Sequence, residues 1–131
     1  MVVMMNAYNE WKSIVAKICR RALDGSMTIE EFYEQWPNGQ EDSEFARLVY
    51  GDIEDGVQHF PAKQISGKPD YELWRSSDIY RRLVIANEVL KLDLDEPGLL
   101  EIRSLLLNDN SVPIKDMSTK AARLGAKGVG V

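Results

Sequence analysis

Apolar residues recur along this chain at steps of three and four and almost nowhere alternate. That spacing marks one face of a 3.6-residue helix, so each segment must bury a stripe against other helices, and an all-α fold follows. In the first segment Met4, Tyr8, Trp11, Val15, Ile18, Cys19, Ala22 and Leu23 share one side, with Glu10, Lys17, Arg20 and Arg21 largely elsewhere. The bases gather in the last turns, at the negative end of the helix dipole, and Gly25 supplies a C-terminal stop. Thr28-Ile29-Glu30-Glu31 has the form of a capping box, which opens a short second helix carrying Phe32 and Trp36 and stopping before Pro37. Pro37-Asn38-Gly39 reads as a turn, after which Ser43 caps a third helix running to about Phe60 and ended by Pro61.

The polar stretch from Pro61 to Pro69 reads as a loop. A fourth helix follows, from Asp70 or from Ser76 or Ser77, with Ile79, Tyr80, Leu83, Ala86 and Leu90 on one face. Asn87 falls on its core side, as a satisfied buried polar group. Asp95 then caps a helix with Pro97 in its first turn and Leu99, Leu100, Ile102, Leu105 and Leu106 beyond. This helix is apolar on much of its circumference and is expected to be the most buried. The pattern fails from Asn108, and the small residues of Ala121–Val131 read as a loosely ordered tail. The expected architecture is an antiparallel bundle of four longer helices plus a short one, with a single domain over residues 1–108 and a C-terminal extension over 109–131.

Counting excludes several kinds of chemistry. One Cys and one His cannot form a disulfide within the chain, a zinc finger, a two-His metalloprotease site or an iron–sulfur cage, so no metal and no cofactor are expected. Asp24-Gly25-Ser26-Met27-Thr28-Ile29-Glu30-Glu31-Phe32 looks like the second half of a calcium loop. Arg20 and Ala22, however, stand where the first oxygen ligands belong, so the stretch reads as a helix stop and a cap. The N-terminus lacks the pattern of a signal peptide and no run approaches the roughly 18 apolar residues of a membrane span, so a cytoplasmic protein without membrane contact is expected.

Asp55 and His59 stand four residues apart on the third helix, a spacing at which a carboxylate can hold an imidazole. A catalytic pair also needs a nucleophile or a substrate pocket, and the sequence offers no nucleophile-elbow glycines, no phosphate loop and no second His. His59 therefore reads as a solvated or hydrogen-bonded residue beside a close helix contact at Gly56. No catalytic residue is expected.

Charge placement is the strongest functional signal. The net charge of −5 is ordinary, but residues 24–60 hold ten acids and one base, Arg47, leaving −9 there and +4 over the rest. Such a separation steers a basic partner and disfavours nucleic-acid phosphates on that side. Tyr33 and Tyr50 lie off the apolar stripes among these charges, the composition of an interface anchor.

The segments Leu23-Asp24-Gly25-Ser26-Met27-Thr28-Ile29-Glu30-Glu31-Phe32, Phe45-Ala46-Arg47-Leu48 and Asp52-Ile53-Glu54-Asp55-Gly56-Val57-Gln58-His59-Phe60 are similar to small helical immunity proteins of the colicin D type and related contact-dependent inhibition systems. The resemblance covers roughly residues 10–90. It implies a bacterial, non-enzymatic inhibitor that blocks a basic nuclease-type toxin domain with acidic side chains in place of substrate phosphates. The acids of the matching segments that it marks for partner binding are Glu30, Glu31, Glu34, Asp52, Glu54 and Asp55. The extension after Asn108 and the His59-Phe60-Pro61 ending depart from that pattern. An alternative from the apolar last helix and tail is an adaptor or regulatory subunit that docks on a protein partner or on a second copy. An enzyme built on Asp55 and His59 is the remaining alternative.

Overall fold

The computed structural model describes residues 3–59 and 71–127. Every regular element among them is helical: α1 (Val3–Leu23), α2 (Ile29–Gln35), α3 (Glu44–His59), α4 (Tyr71–Arg75), α5 (Asp78–Leu90), α6 (Glu96–Leu107), a 3-10 turn (Ile114–Asp116) and α7 (Met117–Lys127). The four longer helices of the expected bundle are α1, α3, α5 and α6, and α2 is the short one. Phe60 and the expected loop from Pro61 to Pro69 lie outside the described residues.

Local chemistry sets the boundaries. Ser43 caps α3 by accepting from the Ala46 amide at 3.0 Å. Ser77 caps α5 through the Tyr80 amide at 3.1 Å, and Asp95 caps α6 through the Gly98 amide at 3.0 Å. Of the alternative starts for the fourth helix, Ser77 is the cap, and α4 forms a separate turn of helix just before it. The Trp74 indole of α4 donates to the Leu23 carbonyl at 3.0 Å, tying that turn to the end of α1.

α5 is the axis of the bundle, packed against α1, α3, α6 and α7. Leu83, Val84, Ile85, Ala86 and Asn87 are buried in succession, which a helix achieves only when it is enclosed on all sides. The expectation that α6 would be the most buried is therefore corrected. α6 lies to one side of the axis, and its Leu105 is 48% exposed despite the apolar composition around it. The Lys12 ammonium donates to the Leu92 carbonyl and the Cys19 thiol to the Leu83 carbonyl, so α1 runs antiparallel to α5. Ser43 hydrogen-bonds Glu96 while Arg103 reaches Asp52, so α3 and α6 run in the same direction.

Beyond Asn108 the chain is more ordered than its sequence suggests. The Arg81 guanidinium holds the Asp109 and Val112 carbonyls, both at 2.8 Å. α7 then carries Met117 and Ala121 into the common core. The expected loose tail is thus helical over 121–127, and its last four residues lie outside the described ones. The boundary drawn after Asn108 falls between segments that share one core.

One close approach sets the spacing of α3 and α5. A Cβ placed on Gly56 would stand 2.4 Å from Leu83 Cδ1 and 3.3 Å from Trp74 Cη2. Gly56→Ala gains about 1 kcal/mol of helix propensity but overpacks a fully buried contact at a cost of about 1–3 kcal/mol. The expected result is a net loss of about 1 kcal/mol in urea denaturation. A gain in stability would mean that Leu83 turns aside freely.

Candidate functional site

The acids of residues 24–60 fall into two groups, and the first is engaged by bases of the same chain. α1 ends in a Schellman turn: Gly25, at φ 72°, donates to the Ala22 carbonyl at 3.1 Å and Ser26 donates to the Arg21 carbonyl at 2.9 Å. The chain is thereby aimed into the α2 cap. There the Glu31 amide donates to the Thr28 hydroxyl and the Thr28 amide donates back to the Glu31 carboxylate, both at 3.0 Å. The Arg21 guanidinium completes the corner, 3.2 Å from Glu31. The Thr28 amide, then its hydroxyl and Arg21, hold the Glu31 carboxyl below its ordinary range. Glu31 thus ties α2 to α1.

Asp52, unlike Glu31, is buried, at 3% exposure. Arg103 of α6 donates to it at 2.9 Å and Arg82 of α5 at 3.2 Å, and Arg82 extends to Asp55 at 3.5 Å. Burial raises the Asp52 carboxyl above its ordinary value, against the opposing pull of the two guanidiniums. Asp52 thus sits between α3, α5 and α6 rather than on the outer face expected of a contact residue. Asp55 is partly exposed and shares Arg82. Arg82 and Arg103 were not singled out by sequence. The only sign of them is the Arg81-Arg82 pair ahead of an apolar run and the single base, Arg103, on the leucine-rich helix after Asp95.

The second group faces outward. Glu30 and Glu34 are exposed on α2, Glu41 and Asp42 are exposed on the turn after it, and Glu44 is exposed on the first turn of α3. Glu54 accepts a 2.6 Å hydrogen bond from the hydroxyl of Tyr33, a side chain 49% exposed. That bond to a carboxylate is also the main reason the Tyr33 hydroxyl is harder to ionise than usual. The structure therefore brings Glu34, Tyr33 and Glu54 onto the α2–α3 face, with Glu30 one turn before on α2, and separates them from Asp52.

Beside this acidic face is a cleft of about 380 Å³, walled by Trp36, Pro37, Glu41, Ala46, Arg47 and Tyr50. Its aromatic wall is fixed from behind. Trp36 meets Tyr50 edge to face at 5.0 Å and Trp11 at 5.7 Å, and Phe32 packs on Tyr50 at 4.8 Å. The turn forming the opposite wall is pinned where Arg47 donates to the Glu41 carbonyl at 3.2 Å and the Gly39 amide donates to the Glu41 carboxylate at 2.9 Å. Tyr50 was legible as an aromatic off the apolar stripe. The cleft itself was not, because it depends on how the Pro37-Asn38-Gly39 turn folds back on α3.

His59 is exposed, and its Nδ1 lies 2.8 Å from the carbonyl oxygen of Asp55, in the preceding helical turn. The Asp55 carboxylate turns instead to Arg82, so the two do not form an acid–base couple. Asn87 is buried as expected, but its Oδ1 has no hydrogen-bond partner among the described residues. Among those residues no three His, Cys, Asp or Glu side chains converge to hold a metal ion, and no helix is long and apolar enough to cross a membrane. Compared with known proteins, the chain matches no family model, no curated protein and no solved structure.

Proposed function

We propose that this chain is a non-enzymatic binding protein whose α2–α3 face captures a basic protein partner, most concretely as an immunity-like inhibitor of a nuclease-type bacterial toxin domain. One observation carries the reading: Glu30 and Glu34 stand exposed beside the Tyr33–Glu54 pair, so acids and an aromatic anchor share one accessible surface. The similarity of residues 10–90 to small helical immunity proteins points the same way. Acidic side chains presented in this way can occupy the phosphate sites of a basic active site, and they draw such a partner in by long-range attraction. The function requires the cytoplasm of the cell that makes the toxin, where the inhibitor meets it.

The adaptor alternative rests on apolar surface left over after folding. α6 and α7 spend most of theirs against α5 and each other, and Leu105 is the one strongly exposed leucine among the described residues. The α2–α3 face, by contrast, presents Glu30, Tyr33 and Glu34 exposed together.

The test is whether a toxin gene stands directly upstream, and the affinity of this chain for the basic domain that such a gene encodes. Glu30→Gln, Glu34→Gln and Glu54→Gln combined are expected to weaken binding about tenfold at low salt and to flatten its salt dependence. Asp52 is left intact, because its removal would disturb the core. Unchanged affinity, or a neighbouring gene that encodes no toxin, overturns the reading.

A further inference from the structure

We infer that the cleft between the Pro37-Asn38-Gly39 turn and α3 seats one apolar side chain of the partner, carried on a segment whose flanking residues are lysine or arginine. This rests on the acidic-surface reading and adds to it the residue class that anchors the complex. The volume, about 380 Å³, is near the lower end of ligand sites and suits one large side chain. Trp36, Ala46 and Tyr50 offer mainly carbon to whatever enters. The two lining charges are both engaged with the turn, Arg47 on the Glu41 carbonyl and the Glu41 carboxylate on the Gly39 amide, so the space between them favours an apolar anchor.

The surroundings select the flanks. Glu41 forms part of the cleft wall, Asp42 and Glu44 are exposed close by in sequence, and Glu54 lies one turn along α3 from Tyr50. Arg47 is the sole base of residues 24–60 and is bound to the turn backbone, while Asp42 and Glu44 beside it in the chain are exposed. An apolar anchor held in a pocket and ringed by charge complementarity is the arrangement in which a few contacts supply most of the binding energy. The walls are preformed, because Trp36 is braced by Trp11 and Tyr50 by Phe32, so little ordering opposes entry.

Two synthetic heptapeptides of alternating lysine and arginine test this, one with Phe and one with Ser at the centre, titrated into the 131-residue chain at low salt and followed by NMR. The Phe peptide is expected to bind about tenfold more tightly and to move the Trp36 indole and Tyr50 amide signals. Asn38 is an exposed residue lining the cleft, and Asn38→Leu partly fills it without touching the core. In that variant the tenfold preference is expected to vanish while affinity for the Ser peptide stays the same. Equal binding of the two peptides, with responses confined to Glu30 and Glu34, overturns the anchor and leaves the acidic surface standing. A Phe preference that survives Asn38→Leu also overturns the anchor. Failure of both peptides to bind overturns the anchor and the acidic surface together.

Discussion

A chain ending at Asn108 is expected to lose about 5 kcal/mol of stability, a large part of what a domain of this size has. Three sources add up to that figure. Met117, Val112 and Ala121 are buried in the same core as Phe45 and Leu83, and each returns apolar surface to water when the segment is removed. The faces of α5 and α6 that α7 covers become exposed as well. Arg81, partly buried, loses both carbonyl acceptors, Asp109 and Val112. The shortened chain should unfold at a much lower urea concentration than the 131-residue chain, and it should bind a hydrophobic dye in buffer. An unchanged midpoint would show that α7 rests on a bundle that is complete without it. Met117→Ala, expected to cost about 3 kcal/mol, separates the contribution of the core side chain from that of the segment as a whole.

Asp52→Ala should cost about 3 kcal/mol, even though burying the carboxylate is itself unfavourable. The loss comes from what is left behind. Arg82 is 34% exposed and can turn to water or to Asp55, but Arg103 is 13% exposed, and its Nε has no partner among the described residues. Removing Asp52 leaves that guanidinium without its counter-ion. Replacing both, as Asp52→Leu with Arg103→Met, is expected to recover most of the loss, because the charge and its solvation cost disappear together. If the double variant is no more stable than Asp52→Ala, the guanidinium is not the source. The pH dependence has a defined sign. The Asp52 carboxyl is raised in the folded state, so this group's contribution to stability falls as pH rises from its ordinary 3.8 through the higher folded value. Asp52→Asn should remove that slope from a urea titration carried out over the acid range.

What was legible in the sequence was chemistry that acts over three or four residues. The Thr28–Glu31 box, the Asp95 cap with Pro97 behind it and the Gly25 stop each formed as read, because a cap involves only its own neighbours. The close contact expected at Gly56 is present for a related reason, since a glycine amid an apolar stripe leaves room for a partner helix. The central place of α5 was hidden, because α6 is richer in leucine and burial depends on how many helices surround a segment. α7 has a stripe of its own, Met117, Ala121 and Leu124 at steps of four and three, but it is short and diluted by small residues and Gly125, and its place depends on Arg81, Leu92 and the α5 surface. On the candidate site, the sequence gathered ten acids into one window but could not sort them. Arg21, Arg82 and Arg103 lie outside that window and fold back onto Glu31, Asp52 and Asp55, so three of its nine net negative charges are met internally. An approaching partner meets the remainder.

The pairing of α1 with α5 also fixes an order of assembly. Cys19 and the Leu83 carbonyl that it reaches are 64 residues apart in the chain. At about 5–20 residues per second, synthesis delivers α5 roughly 3–13 s after the middle of α1. For that interval Trp11, Val15 and Ile18 form an amphipathic helix without the surface that later covers them. The first helix made is therefore the one that waits longest for its main neighbour. Its apolar stripe is the part of the nascent chain most in need of a temporary cover.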